Sequence, residues 1–251
     1  MTSPAENPWI RRFHHESNSR VTLVCFPHAG GSASFFHPLS DAMQSTMQVV
    51  VMQYPGRQDR RMEQPLTSIG DLADASFAAL RPLMDTPLAF FGHSMGATVA
   101  YEVAQRMHDE LGTAPVTLFA SGRRAPSRHR AESVHQRDDD GLVAELKSLS
   151  GTDSRILGDD ELLRMILPAI RGDYTAAETY RWQPVPPLDC PIVALTGDDD
   201  PKVSLEEAAA WSEHTSGSFE LRTFPGGHFF LGQHRRAVVD LISDQLLPVA
   251  P

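Results

Sequence analysis

Cysteine is scarce: the chain of 251 residues holds two, Cys25 and Cys190. Both fall in or beside segments with strand character. Two thiols without a secretion signal do not make a disulfide framework, so they read as small buried hydrophobes. Long apolar runs are missing as well. Nothing approaches the roughly 18 residues that a membrane-spanning helix needs. The opening MTSPAENPWIRRFHH lacks the apolar core of a signal peptide, and a cytoplasmic location is expected. Positive charge is in deficit, with 22 Lys and Arg against 32 Asp and Glu and a net charge of −10. That balance suits neither a phosphate backbone nor an anionic membrane, so nucleic acid and membranes are not expected partners. There is no G-x-x-x-x-G-K-[ST] loop and no H-E-x-x-H pair, and neither a metal nor another cofactor is called for. Repeats and low-complexity tracts are absent, and no feature encodes an oligomer, so a monomer is expected.

What is present is a globular balance of 41% apolar and 22% charged residues. Val21–Pro27, Gln48–Tyr54, Leu88–Phe91, Val116–Ala120 and Ile192–Thr196 are nearly continuous in apolar residues, as strands buried on both faces are. Phe219–Phe224 alternates with polar residues and reads as a strand nearer an edge. Helical patterns lie between them: Ile69–Met84 with Ser68 or Thr67 as cap, Ala97–Leu111 stopped by Gly112, a capping box at Ser204-Leu-Glu-Glu207, and Arg235–Leu247. The alternation predicts an α/β fold, a mostly parallel central sheet with helices on both faces, in a single domain spanning 1–251.

One stretch breaks the rhythm. Residues 123–187 show no strand, only helical segments near Leu142–Leu149 and Asp159–Tyr180. That is too long for an ordinary loop and predicts a helical lid inserted over the strand ends. Leu162, Met165, Ile166, Ile170, Tyr174 and Tyr180 are candidates for its apolar underside, where they would meet substrate or simply pack the lid onto the body.

Gly92-His93-Ser94-Met95-Gly96 fits G-x-S-x-G in the strand–turn–helix setting that the motif requires. Its glycines permit a turn too tight for a Cβ, and Ser94 would stand exposed above the sheet at a helix N-terminus. Serine needs a base, and in this arrangement the acid and histidine follow in the order Ser, Asp, His. Candidates lie at the ends of later strands: Gly197-Asp198-Asp199-Asp200-Pro201 and Pro225-Gly226-Gly227-His228. His228 is the expected base. Asp200 is the favoured acid, because the first positions after a strand shape the turn, and Asp198 is the alternative. His14, His15, His129 and His234 read as surface residues, and His93 as packing beside the elbow. An oxyanion hole needs two backbone donors, expected from Met95 and from Ala29 in the loop Phe26-Pro27-His28-Ala29-Gly30-Gly31.

Taken together, CFPHAGGSASFF (25–36), QYPGRQDRR (53–61), FFGHSMGATVAYE (90–102), SGRRAP (121–126), TGDDDPKVS (196–204) and FPGGHFFL (224–231) resemble the type II thioesterases of the α/β-hydrolase superfamily. These are the stand-alone editing enzymes of polyketide and nonribosomal peptide pathways. The resemblance covers essentially the whole chain. It implies a Ser94–His228–Asp200 triad, an oxyanion hole from Ala29 and Met95, and no cofactor. It implies as partner an acyl or peptidyl carrier protein, relieved of aberrant or misprimed acyl groups on its phosphopantetheine arm. Arg123, Arg124, Arg128 and Arg130, or Arg57, Arg60 and Arg61, are candidate docking cations; solvated surface charge is the plainer alternative. A general esterase, or a medium-chain acyl thioesterase, would carry the same triad. A non-catalytic binding protein of the same fold usually lacks a triad residue, and here all three are available.

Overall fold

The computed structural model describes residues 7–14, 19–149 and 159–247; His15 and the stretch 150–158 of the expected lid lie outside them. The strands are β1 (Ile10–Arg11), β2 (Thr22–Phe26), β3 (Gln48–Met52), β4 (Leu88–His93), β5 (Leu118–Ser121), β6 (Ile192–Gly197) and β7 (Phe219–Phe224). They form one sheet in the order β1-β3-β2-β4-β5-β6-β7. The β1–β3 pair is antiparallel and every other neighbouring pair is parallel. β7 closes one edge, as its alternating pattern predicts. β1, at the other edge, is two residues long, too short to show a period in sequence.

The β2 register shows why its strand is apolar throughout. Val24 and Phe26 join a core with Leu72 of α2 (Ile69–Leu80) and Val99 of α3 (Met95–Leu111). Leu23 and Cys25 point the other way, into a core with Met43 of α1 (His37–Met43) and Ile242 of α7 (Arg235–Leu246). Period-2 alternation thus serves two apolar faces at once. Both cysteines are buried and free. Local signals end the helices where expected: Ser68 accepts from the Asp71 amide, and Gly112 closes α3 in the left-handed conformation.

Between β5 and β6 the chain forms α4 (Asp139–Leu149) and α5 (Asp160–Thr179). A small separate cluster joins Leu142 and Leu146 of α4 to Leu167, Ile170 and Tyr174 of α5. The buried stripe of α5 runs through Leu163, Leu167, Ile170 and Tyr174, at helical spacing. Leu162 and Met165 fall off that stripe and are 40% and 51% exposed, so neither belongs to the underside. α5 carries apolar residues on more than one face, and spacing alone did not fix which face packs. Among the described residues no helix is long and apolar enough to cross a membrane.

Candidate active site

Ser94 follows β4 and caps α3 at φ 53° and ψ −121°. A non-glycine residue adopts that conformation only when its surroundings compel it. The close approach of α3 to β2 supplies the compulsion: a Cβ on Gly96 would lie 2.0 Å from the Phe26 carbonyl oxygen. The helix can therefore start directly against the strand, and the serine hydroxyl is left above the sheet.

His228 Nε2 lies 2.9 Å from Ser94 Oγ, and His228 Nδ1 lies 2.9 and 3.0 Å from the two oxygens of Asp200. A carboxylate only accepts, so Nδ1 carries the proton and Nε2 is free to accept from the serine hydroxyl. The Asp200 side chain is fully buried and that of His228 nearly so. Asp200 Oδ1 also accepts from the Lys202 amide at 2.8 Å, which fixes the carboxylate. Asp198 does a different job. Its Oδ1 accepts from the Gly226 amide at 2.8 Å, and the Asp199 amide donates to the Gly226 carbonyl at 3.0 Å. These bonds tie the loop after β6 to the loop after β7 and bring the acid to the histidine.

Two further histidines stand behind the triad. His93 is fully buried, with its Nδ1 3.0 Å from Ser121 Oγ and its ring centroid 5.3 Å from that of His228. Burial, reinforced by repulsion from His228 and His28, holds it well below the usual imidazole range. Burial, then His228 and Arg57, pushes His28 down to about 3. Both therefore stay neutral near His228. His14, His129 and His234 do not line the cleft.

That cleft opens over Ser94 and His228. Ala29 and Met95 line it, as do Leu146 and Leu149 of α4 and Tyr174 of α5. Neither the Ala29 nor the Met95 amide has an acceptor among the described residues. Of Met165, Ile166, Ile170 and Tyr174 on α5, only Tyr174 lines the cleft. Ile170 packs on Gly30, Ile166 is half-buried against the α4–α5 cluster, and Met165 is outside. Tyr180 turns to α3, where its hydroxyl donates to Glu102 at 2.6 Å.

Most of the candidate docking arginines are engaged within the fold. Arg123 is half-buried along the cleft wall, with Nε donating to Thr98 Oγ1 at 3.0 Å and Nη2 to the Ala177 carbonyl at 3.3 Å. Burial, then the neighbouring Arg124, lowers it to about 10. Arg124 is buried against Glu132, Arg128 is paired with Glu213, and Arg130 with Glu207. Arg57 and Arg60 are buried, the first paired with buried Asp173 and the second with exposed Glu63, while Arg61 is exposed. The pairs of Arg57 with Asp173, Arg128 with Glu213 and Arg130 with Glu207 join residues far apart in sequence, which a run of arginines does not disclose.

The family profile described as a thioesterase domain matches residues 21–246. The chain belongs to the thioesterase family. It is 55% identical over 240 residues to the "Probable cadicidin biosynthesis thioesterase" of Streptomyces griseus, covering 96% of this chain and 66% of that one. It is 52% identical over 240 residues to "Thioesterase PikA5" of Streptomyces venezuelae, covering 95% and 85%. The structure of the type II thioesterase BorB from the borrelidin biosynthetic cluster superposes with a TM-score of 0.90 at 51% identity, covering 98% of this chain and all of that one. The thioesterase fold seen here is thus the α/β-hydrolase fold that the elbow implies.

Proposed function

We propose that this thioesterase hydrolyses acyl groups held as thioesters on the phosphopantetheine arm of acyl or peptidyl carrier proteins, clearing aberrant or misprimed units from a polyketide or nonribosomal peptide synthase. The observation that carries the chemistry is the unbroken line from Ser94 Oγ through His228 to Asp200 at the floor of an open cleft. The names of these relatives support the biosynthetic setting.

Ser94 Oγ attacks the thioester carbonyl carbon while its proton passes to His228 Nε2, and Asp200 stabilises the resulting imidazolium. The carbonyl oxygen becomes an oxyanion held by the Ala29 and Met95 amides. The intermediate collapses with cleavage of the C–S bond, and His228 returns the proton to the departing sulfur. Thiols ionise near pH 8.5, so this leaving group departs more readily than an alkoxide. Water, activated by His228, then attacks the acyl-serine through a second tetrahedral intermediate, releasing the carboxylic acid and restoring Ser94. The helices of 123–187 act as the lid, with Leu146, Leu149 and Tyr174 as the apolar contact for the acyl chain. The enzyme works in the cytoplasm as a monomer. Held by hydrogen bonds or ion pairs as they are, Arg123, Arg124 and Arg128 are not proposed as docking residues.

Comparing acetyl-carrier protein, acetyl-coenzyme A and p-nitrophenyl acetate tests the substrate class. The carrier-borne thioester is expected to show the highest kcat/KM. A simple ester exceeding it would make the protein a general esterase with the same triad.

A further inference from the structure

A backbone amide stabilises an oxyanion only when the loop carrying it is fixed before the reaction begins. Residues 27–31 belong to no strand or helix, and Gly30 sits at φ +75°. What fixes this loop comes from α5. Asp173, fully buried, accepts from the Gly30 amide at 2.7 Å through Oδ2. The same carboxylate takes both arms of Arg57, Nη1 at 2.7 Å and Nη2 at 2.9 Å. Arg57 Nη1 also donates to the Gly31 carbonyl at 3.0 Å. One buried ion pair therefore grips the Gly30 amide and the Gly31 carbonyl, one and two residues beyond Ala29. Ile170, one turn earlier on α5, completes the contact: a Cβ on Gly30 would lie 2.7 Å from its Cγ1.

A buried ion pair is a poor device for stability, since an apolar pair of similar size often serves as well. An apolar pair cannot accept the Gly30 N–H or hold the Gly31 carbonyl. We infer that Asp173 and Arg57 are positioning residues: they hold the Ala29 amide where the oxyanion forms, and they make that geometry depend on α5 being seated over the loop. The inference rests on the reading of Ala29 and Met95 as the oxyanion donors.

The test uses Arg57→Met/Asp173→Leu, which removes both charges and leaves no buried ion, and Asp173→Asn, which keeps an acceptor for Gly30 but strands the guanidinium. Active sites are counted by serine titration. The readouts are kcat and KM on an acetyl thioester of N-acetylcysteamine, affinity for a trifluoromethyl ketone that forms a tetrahedral oxyanion on Ser94, and Tm. In the double variant kcat is expected to fall about 10- to 100-fold with KM changed by less than about threefold, and the ketone to weaken by the same factor as kcat. Asp173→Asn is expected to be the less stable of the two yet the more active, an inversion that a merely structural role does not produce. Should the double variant fail to fold, Arg57→Lys, which drops the arm to Gly31, is expected to weaken the ketone at unchanged KM. Ketone affinity within about twofold of wild type in the folded variants, or activity that follows stability, overturns the inference. Ser94→Ala runs alongside: hydrolysis surviving in that variant would overturn the triad itself rather than the role of Asp173.

Discussion

Ser94, His228 and Asp200 are close because three separate turns place them so, and their roles predict different losses. Ser94→Ala is expected to lower kcat about 10⁶-fold, and Asp200→Asn about 10⁴-fold by releasing the imidazole from its productive tautomer. Steady-state kinetics on an acyl thioester checks both. The serine and the histidine are legible in sequence because each sits in a turn with its own glycines. The choice between Asp198 and Asp200 was not closed there. It depends on which carboxylate meets the ring and which meets the Gly226 amide, a difference of two residues in one acidic run. Neutral His28 adds a pH dependence. Its pKa of about 3 lies below the 6.5 of an unfolded imidazole, so below pH 6.5 the unfolded chain binds the extra proton and stability falls with acidification. The loss continues down to about pH 3, at up to about 1.4 kcal/mol per pH unit. Urea unfolding from pH 7 to 4 is expected to give His28→Gln a shallower acid slope than wild type; identical slopes would show that His28 titrates normally in the fold.

At the scale of elements, the packing of α3 on β2 decides whether the elbow forms. Gly96→Ala would drive a methyl group into the Phe26 and Pro27 carbonyls, at 2.0 and 2.6 Å. It is expected to cost about 3 kcal/mol or more by chemical denaturation and to silence Ser94, because the helix must shift away from the strand. Ser204→Ala removes one half of an observed capping box and is expected to cost about 1 kcal/mol. That box was legible, being four consecutive residues. The apolar strands were legible for the same reason, since their burial on both faces leaves a continuous run. The face of α5 was not. Leu162, Leu163, Met165, Ile166 and Leu167 crowd a little over one turn, and only the folded packing selects Leu163 and Leu167 for burial, Leu167 in the cluster shared with α4. α1 is equally illegible in sequence, a helix of seven residues with a proline in its first turn.

At the scale of the whole molecule, long-range pairing is what sequence conceals. Arg57 and Asp173 stand 116 residues apart, and Arg130 and Glu207 stand 77 apart. Read in isolation, the arginines resemble a docking patch; folded, Arg57 and Arg124 are internal ties and Arg128 and Arg130 are paired nearer the surface. Reversing Arg128 is therefore expected to change KM for an acyl-carrier by less than about twofold, in line with an exposed pair of small worth. A larger rise would restore a docking role. The central claim is that Ser94 removes acyl groups from the phosphopantetheine arm of a carrier protein. The direct measurement is intact-protein mass spectrometry of a propionyl-carrier protein incubated with wild type or with Ser94→Ala. Wild type is expected to return the carrier to its free-thiol mass within minutes, while the variant leaves the acyl group in place. A carrier that stays acylated with wild type, while small esters are still cleaved through Ser94, would contradict the account.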